Sequence, residues 1–385
     1  MKLASKDECT GCMACVDSCN HGVLDCNVDL DGYLTIKVTN PSACTECGCC
    51  TRACPVVQNL KPSGTKESQP HAAWSNDDMA RANGASGGVF GVLAKAIIAR
   101  GGVAYGAAID GFNVQHKRID SMEGIKALQG SKYQHSSMKG TYREVRKDLL
   151  AGRMVLFSGL SCQVAGLLQF LGKIPRQNLY TIDTICGGLS TMLPMRALQE
   201  SGRYAGIKSF RDKENGWRST GFRYALKMVT TDGTIEDLGL DNPVLNTFSS
   251  KLLKRSSCLD CKFNGMTRLS DATIGDFWGD KSLTDQHQKG LSVAIIHSDK
   301  LNRLLSEAQI TLVPVTWESV IAGNHNINWT HYPLIRRMPM RRMALRAMRH
   351  GDFTKAQHYM SPHTFPGMIL RIYLKINAIV RKSLK

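Results

Sequence analysis

The pattern of apolar and polar positions predicts a small N-terminal unit followed by a larger domain of alternating strands and helices. Residues 23–38 alternate in polarity around Asp31-Gly32, a dipeptide that favours a tight hairpin turn. Further along, apolar runs of four to seven residues alternate with longer amphipathic segments. The chain therefore predicts a hairpin first and strand–helix–strand units after it.

In the larger domain, residues 84–88 form a glycine-rich loop in which Ser86 is expected to cap a helix over residues 89–99. A second hairpin is expected around Asp232-Gly233. Because parallel strands need crossover connections, the strand–helix–strand order predicts a mixed α/β domain with a largely parallel sheet. The expected strands are 103–109, 154–157, 179–185, 291–297 and 311–315, with helices at 162–171 and from residue 300.

Four regions are predicted from these boundaries and from composition. The polar segment 61–72, which contains proline and glycine, is typical of a linker. From residue 331 onward the sequence has twelve Lys and Arg and one acidic residue, so +11 of the net charge of +17 lies in this stretch. The predicted regions are a module at 1–60, the linker at 61–72, a domain at 73–330 and a basic tail at 331–385.

Cysteines dominate the N-terminal module, which holds ten of the fourteen in the chain. Eight of them repeat the spacing Cys-x2-Cys-x2-Cys-x3-Cys, typical of bacterial ferredoxins with two [4Fe–4S] clusters, in which the fourth cysteine ligates the other cluster. We therefore expect an α+β ferredoxin-like module. The predicted ligands are Cys9, Cys12, Cys15 and Cys54 for one cluster, and Cys44, Cys47, Cys50 and Cys19 for the other.

Zinc and disulfides are the two alternative interpretations of these cysteines. Zinc sites favour two pairs of ligands, often with histidine, and a disulfide framework suits a short secreted chain, whereas no export signal is evident here. Cys49, next to Cys50, is an alternative ligand, and Cys26 is expected to be a small buried side chain. Together with the absence of an 18-residue apolar run, this usage predicts a cytoplasmic protein.

Four more cysteines, Cys162, Cys186, Cys258 and Cys261, lie in the larger domain. Cys162 opens a helix after a strand and Cys186 closes the next strand, so both are expected at the carboxyl edge of the sheet. Cys258 and Cys261 have metal-ligand spacing. From spacing alone, the first two could be core cysteines and the last two a redox dithiol or half of a zinc site.

Several segments of the larger domain resemble the coenzyme F420 hydrogenase/dehydrogenase beta-subunit family. The resemblance runs from about residue 73 to about residue 325 and follows the ferredoxin-like module. Ser161 stands where the family usually has proline, and Gly187 where histidine is usual. The segments that carry the resemblance are 84–102, 130–134 (GSKYQ), 156–168, 186–188, Phe210-Arg211-Asp212-Lys213 with Gly216-Trp217, 255–263 and 270–279.

The resemblance implies an iron–sulfur flavoprotein, with FAD near the glycine loop and a third [4Fe–4S] cluster held by Cys162, Cys186, Cys258 and Cys261. Candidate flavin-binding residues are Ser86, Gly87, Gly88, Lys132, Gln163 and Trp278, and candidate catalytic residues are Asp276 and Lys132. Each also has an ordinary structural interpretation, as a solvated lysine for Lys132 and as a cap, turn or core residue for the others. Arg211, Lys213 and Arg268 could bind an anionic substrate or form surface ion pairs.

The function expected from these features is that of an oxidoreductase. Electrons would pass from a ferredoxin-like donor or a subunit of a redox complex through the clusters to FAD, and on to a deazaflavin or another small organic acceptor. The alternative is a non-catalytic electron-transfer subunit, and nucleic acid is not an expected partner. Residues 368–384 predict a basic amphipathic helix, suited to peripheral membrane contact, to a partner, or to packing on its own domain.

Overall fold

The N-terminal unit is a two-stranded antiparallel hairpin with one short helix before it and one after it. The computed structural model describes residues 1–62, 68–211, 213–214, 216–217, 226–239, 241–327 and 331–383. Strands β1 (Leu24–Val28) and β2 (Leu34–Val38) pair around the predicted Asp31-Gly32 turn, where Gly32 has φ +76°. Helices α1 (Ala14–Ser18) and α2 (Cys49–Ala53) each lie inside one cysteine run.

The remainder of the chain alternates between strands and helices. Its strands are β3 (Pro70–Ser75), β4 (Val103–Asp110), β5 (Asn113–Ile119), β6 (Val155–Leu160), β7 (Leu179–Thr184), β8 (Tyr204–Ser209), β9 (Lys227–Thr230), β10 (Ile235–Asp237), β11 (Ala272–Asp276), β12 (Ser292–Ile296) and β13 (Ile310–Pro314). Its helices are α3 (Asp78–Asn83), α4 (Val89–Ile98), α5 (Ile125–Leu128), α6 (Thr141–Leu150), α7 (Ser161–Leu171), α8 (Leu193–Glu200), α9 (Pro243–Ser249), α10 (Asp299–Ser306), α11 (Trp317–Gly323), α12 (Pro339–Arg349), α13 (Phe353–Met360) and α14 (Phe365–Ser383).

The main sheet has the strand order β13-β3-β12-β11-β7-β6-β4-β5. Its four central strands, β4, β6, β7 and β11, are parallel, and the pairings on both sides of them are antiparallel. Helix α7 makes the crossover from β6 to β7, as the strand–helix–strand pattern predicts. The mixed α/β fold class is confirmed, with the parallel part limited to the centre of the sheet.

Strand β3 begins three residues before the predicted start of the domain at residue 73. Residues 63–67 of the predicted linker lie outside the described part of the chain. Pro70 occupies the first position of β3, where a missing N–H costs little, and its carbonyl accepts the N–H of Val315 at 2.9 Å. This proline therefore marks the start of the strand, although proline is also typical of a linker.

A second, three-stranded sheet has the order β10-β9-β8. The predicted hairpin around Asp232-Gly233 connects β9 to β10, and Gly233 has φ +88°. Oδ1 of Asp232 accepts the backbone N–H of Thr234 at 3.0 Å, which closes the turn. The local signal for this hairpin is therefore confirmed.

The N-terminal unit packs directly on the larger domain. Met13, which directly precedes α1, and Val16 of α1 share one apolar core with Tyr142 of α6 and Leu167 of α7. The buried carboxylate of Asp17 accepts the N–H groups of Gly140 at 2.7 Å and Tyr142 at 3.0 Å. This caps the start of α6 from the other unit, because the first N–H groups of a helix have no partner within it.

The predicted basic tail folds into helices that cover both the N-terminal unit and the larger domain. Ile335, Ala344 and Leu345 are buried in one cluster with Tyr33 and Leu252. This cluster lies where α12 meets the hairpin. Among the described residues, no helix combines the length and the apolar character that crossing a membrane requires.

Candidate functional site

The first cysteine set comprises Cys9, Cys12, Cys15 and Cys54, which line one cavity of about 280 Å³. Two left-handed residues, Gly11 with φ +71° and Met13 with φ +63°, turn the chain so that it winds around this space. Burial raises the pKa of the Cys12 thiol to about 12. The structure thus brings together three cysteines of the first run and the last cysteine of the second, as the spacing predicts.

The second cysteine set comprises Cys19, Cys44, Cys47 and Cys50, which line a smaller cavity. Cys47 is exposed, so this set reaches the protein surface. Cys49 does not line this cavity, and its sulfur accepts a hydrogen bond from Nη2 of Arg52 at 3.2 Å. Cys26 lies half-buried in β1. The geometry therefore favours Cys50 over Cys49 as the fourth member of the set.

The third cysteine set comprises Cys162, Cys186, Cys258 and Cys261. Burial, followed by the neighbouring Cys261 and Cys258, raises the pKa of the Cys162 thiol well above its usual value. Backbone N–H groups point at two of the sulfurs, from Gly188 to Cys186 at 3.3 Å and from Leu189 to Cys258 at 3.4 Å. Cysteines from three segments that are far apart in sequence therefore meet at the carboxyl edge of the parallel strands.

The zinc alternative would need its ligands about 2.3 Å from a single ion. Within the described parts of the chain, no group of three or more His, Cys, Asp or Glu side chains is placed to hold one metal ion. All fourteen cysteines lie in those parts and carry free thiols. The described cysteines form no disulfide.

The segment that carries Cys258 also contacts the first cysteine set. Nε of Arg255 donates to the carbonyl of Cys9 at 2.7 Å, and the hydroxyl of Ser257 donates to the same oxygen at 3.0 Å. Cys162 and Cys261 pack against a small apolar cluster that contains Cys54. The first and third sets are therefore neighbours, connected by Arg255, a residue whose role has no signal in the sequence.

Lysines lie close to the third set. Nζ of Lys254 donates to the carbonyl of Gly188 at 3.0 Å, and the buried lysine faces Cys186 and Cys258. Burial lowers the pKa of Lys254 to about 7, against the opposing effect of the two thiolates. Burial also lowers the pKa of Lys251, whose Nζ donates to Asn326 at 3.0 Å. These cations can offset negative charge on a thiolate-ligated group.

A central cavity of about 300 Å³ opens beside the third set. It is lined by the last residues of β6, β7 and β11 and by the segment after β7, at the carboxyl edge of the sheet where α/β folds bind ligands. Cys186, Gly187 and Gly188 form one wall, so the cavity borders the third cysteine set directly. Among the predicted site residues, Ser86, Lys132, Gln163 and Asp276 line it.

The glycine loop has a different role from the one predicted for Ser86. Helix α4 begins at Val89, and its N-cap is Gly88 with φ +84° and no side-chain cap. The prediction that Ser86 caps this helix is therefore wrong. The hydroxyl of Ser86 instead forms a hydrogen bond with the hydroxyl of Ser292 at 2.6 Å. A Cβ at Gly87 would lie 2.1 Å from the carbonyl of Ala73, so this glycine is required by close packing on β3.

Lys132 and Gln163 are held by local hydrogen bonds at the cavity wall. Nζ of Lys132 donates to the carbonyl of Gln129 at 2.5 Å, and burial lowers the pKa of Lys132 to about 8. Oε1 of Gln163 accepts the N–H of Leu160 at 2.8 Å and thereby caps α7. Oε1 of Gln134, which also lines the cavity, is buried and has no partner among the described atoms.

His116 is a cavity residue that the sequence reasoning missed. Its Nε2 lies 2.8 Å from the carbonyl of Ser158 and its Nδ1 lies 2.7 Å from the hydroxyl of Ser136. Because a carbonyl can only accept, Nε2 carries the proton and Nδ1 accepts from Ser136. Burial lowers the pKa of His116 to about 4, so the ring is neutral at pH 7. A single histidine in a strand gives no signal of this position.

Asp276 ends β11 with both carboxylate oxygens occupied. Nη1 of Arg211 donates to Oδ2 at 2.8 Å, and Nε1 of Trp217 donates to Oδ1 at 3.2 Å. Although burial opposes its charge, the carboxylate raises the pKa of Arg211 above its usual value. Asp212, the next residue of the motif, lies outside the described residues. The arrangement orients a carboxylate at the cavity wall.

Trp278 does not line the cavity. Its ring stacks on that of Trp217, with centroids 4.3 Å apart and planes 3° apart. Arg211 lies 5.1 Å from the centre of the Trp278 ring. The structure therefore places Trp278 behind Asp276, as support for the Arg211–Asp276 pair.

Two of the cations predicted for anion binding have internal roles. Nζ of Lys213 donates to the carbonyl of Ser86 at 2.7 Å, and burial lowers the pKa of Lys213 to about 7. Lys213 therefore holds the glycine loop. Nη1 of Arg268 lies 3.3 Å from Oδ2 of Asp183, and both side chains are only 1% exposed. The alternative of a surface ion pair is therefore wrong for Arg268, because its pair is buried.

Comparison with known proteins gives a family match and similarities to solved structures. Residues 152–315 match the family model for the C terminus of the coenzyme F420 hydrogenase/dehydrogenase beta subunit. No curated protein matches the chain. A chain of the xenon-derivatised F420-reducing [NiFe] hydrogenase complex from Methanosarcina barkeri is similar at 16% identity, with a TM-score of 0.46, over 77% of this chain and 91% of that chain.

Proposed function

Residues 152–315 of this chain belong to the coenzyme F420 hydrogenase/dehydrogenase beta-subunit family, and from this premise we propose that the protein is an iron–sulfur flavoprotein oxidoreductase. It would take electrons from a donor protein and deliver them to a deazaflavin such as coenzyme F420 or to another small organic acceptor. One observation carries the proposal: the third cysteine set contacts the first set on one side and the central cavity on the other.

The three cysteine sets fit [4Fe–4S] clusters, because each groups four thiols around one space or one edge of the fold. The first and second sets would hold the two clusters of the N-terminal unit, and the third set would hold one more. The exposed Cys47 makes the second set the natural entry point for electrons from a donor protein. Clusters exchange single electrons, and a bound flavin couples them to two-electron chemistry on an organic acceptor.

The central cavity fits the flavin. Its volume of about 300 Å³ and its open side suit part of a dinucleotide, and its wall offers a cation and one buried amide oxygen without a partner among the described atoms. Lys132 would neutralise phosphate charge, and the unpartnered Oε1 of Gln134 would accept a hydrogen bond from the ligand. Ser86 and Gln163 would add polar contacts. Gly87 and Gly88 do not line the cavity, and their part would be to hold the loop that carries Ser86 against its neighbours.

Asp276 is the residue best placed to act on the acceptor. Arg211 and Trp217 hold its two oxygens, so the carboxylate keeps one orientation at the cavity wall. A carboxylate in this position can accept a hydrogen bond from the acceptor or take up and return its proton at Oδ1 or Oδ2. Neutral His116, with its own proton directed at Ser158, would shape the cavity and not transfer protons.

Replacing Asp276 by asparagine should lower the rate of acceptor reduction by about 100-fold or more, because the amide cannot take up a proton. Iron and sulfide contents should stay unchanged, since the described hydrogen bonds of Asp276 come from Arg211, Trp217 and Asn324 and from none of the cysteines. Steady-state rates with a reduced ferredoxin and coenzyme F420 give the measurement. Asp237→Asn, at an exposed carboxylate in β10, is the matched control, and equal rates for both variants would count against a role for Asp276.

Replacing Lys132 by methionine should weaken FAD binding by about 10- to 100-fold, the range expected for a lost hydrogen bond to a charged group. Because burial lowers the pKa of Lys132 to about 8, its charge is present below pH 8 and is lost as the pH rises through that value. Affinity of the wild type should therefore fall above pH 8, and that of Lys132→Met should not. Quenching of flavin fluorescence measures the FAD affinity of the wild type and of Lys132→Met at each pH. The control is Lys126→Met, a change at an exposed lysine.

The proposal is tested by turnover of the isolated chain. Anaerobic protein supplied with a dithionite-reduced ferredoxin should reduce an organic acceptor, with coenzyme F420 as the first candidate. Absence of turnover with every acceptor, together with tight co-purification of a catalytic partner, would instead support a non-catalytic electron-transfer subunit. The surface position of Cys47 is compatible with docking of an electron-donor protein in either case.

A further inference from the structure

The C-terminal helix α14 presents an apolar face to solvent. Six residues of this face are between 41% and 73% exposed: Phe365, Met368, Ile369, Ile372, Ile376 and Ile379. At 100° per residue, all six fall within an arc of about 100° on the helix. A single exposed isoleucine needs no explanation, but six apolar residues on one face of a 19-residue helix do.

This apolar face is not the side by which α14 is attached to the protein. Leu370 is buried, and Tyr373 and Leu374 pack with it against the cluster formed by α12 and α13. Nδ2 of Asn377 donates to the carbonyl of His331 at 3.0 Å on the same side. The helix is therefore docked through one face, and the apolar arc lies next to that face and points away from the core.

Basic residues flank the apolar arc. Arg371 and Lys375 lie on the remaining side of α14 and are exposed. Arg337, Arg342 and Arg346, on the elements that support α14, are exposed as well. The sequence from residue 331 onward carries twelve Lys and Arg and only one acid, Asp352. An apolar face next to such charge is complementary to a surface that is both apolar and anionic.

We propose that α14 binds the surface of an anionic phospholipid membrane, with its apolar arc at the boundary between headgroups and acyl chains. Arg371 and Lys375 would then lie at the level of the lipid phosphates. A second copy of this chain is the poorer occupant, because two equally basic segments would be brought together and would repel each other. The proposal concerns where the protein is held and does not depend on which acceptor it reduces.

The first experiment is flotation of the anaerobically purified full-length protein with lipid vesicles. Binding to vesicles that contain phosphatidylglycerol should exceed binding to pure phosphatidylcholine vesicles by about 10-fold or more, since each basic residue near an anionic surface contributes about 5-fold. High salt should reduce that difference, because it screens exposed charges. Equal binding to both kinds of vesicle, or binding to neither, would overturn the proposal.

The second experiment replaces the apolar arc. The double variant Ile372→Glu and Ile376→Glu should bind anionic vesicles at least about 30-fold more weakly, as two half-exposed isoleucines lose their apolar contact. The matched control is Ile235→Glu with Leu150→Glu, two apolar residues exposed to a similar degree on other elements. The control should bind like the wild type, and unchanged binding of the α14 variant would contradict the proposal.

Sedimentation velocity tests the alternative that a second copy of this chain covers the apolar face. The wild type and the α14 variant should have the same oligomeric state without vesicles. A wild-type dimer that becomes monomeric in Ile372→Glu with Ile376→Glu would assign the apolar face to a second copy and overturn membrane binding. Unchanged iron content of the variant verifies that the rest of the chain has folded, because the described packing of α14 is on α12 and α13.

Discussion

Replacing Cys162 by alanine should lower the iron content of the anaerobically purified protein from about twelve to about eight irons per chain, the loss of one [4Fe–4S] cluster. Cys162 stands at the start of α7 with Cys186, Cys258 and Cys261 around it, and three thiols at a buried site leave the fourth iron without its protein ligand. Iron and acid-labile sulfide analysis gives the measurement. Reduction of the organic acceptor should fall to background in the same variant.

Two other cysteines serve as matched controls. Cys26 lies in β1 and Cys49 accepts a hydrogen bond from Arg52, and neither lines a cysteine cavity. Cys26→Ala and Cys49→Ala should both keep about twelve irons, whereas Cys50→Ala should lose about four. Full iron content in Cys162→Ala would show that the third set holds no cluster. The protein would then be better explained as a non-catalytic electron-transfer subunit that uses only the two clusters of its N-terminal unit.

The cysteines show how far local spacing can predict a site. Two repeated runs predict the first and second sets, because each run places three thiols in one turn of chain. The third set spans about a hundred residues, and spacing predicts only that Cys162 and Cys186 lie at the same edge of the sheet. Cys258 joins them through contacts of Arg255 with the first set, which depend on the folded chain.

The sheet shows the same limit. The parallel centre follows from strand–helix–strand order, which is a local pattern. The antiparallel side does not, because β3 pairs with both β12 and β13, more than 200 residues further along the chain. β3 itself begins at a proline, so composition predicts a linker at the position where the strand starts.

The structure brings four of the predicted site residues to one cavity, and their roles there stay predictions. Ser86, Lys132, Gln163 and Asp276 do line one cavity, whereas Trp278 stacks on Trp217 instead. Ser86 is expected from the sequence to cap α4, and a glycine in the left-handed region occupies that position. The hydrogen-bond partners of these polar side chains come from distant segments, as Ser292 does for Ser86, so the sequence alone does not show which way each side chain points.

Replacing Arg268 by methionine should lower the free energy of unfolding by about 3–5 kcal/mol, because it leaves a buried carboxylate without its cation. Arg268 lies 3.3 Å from Asp183, and both side chains are 1% exposed. Its Nη2 also donates to Oδ1 of Asn264 at 2.7 Å, and Nδ2 of Asn264 donates to the carbonyl of Cys186 at 3.0 Å. Anaerobic urea denaturation measures the loss.

The matched control is Lys262→Met, which breaks a surface ion pair with Glu8 at 3.1 Å, where both side chains are about half exposed. That change should cost about 1 kcal/mol or less, since solvent screens exposed pairs. The double variant Arg268→Met with Asp183→Leu should recover most of the loss, because the unpaired charge is gone. If the double variant is as unstable as the single one, then the hydrogen bond to Asn264 and the packing beside Cys186 carry the stability, and the ion pair does not.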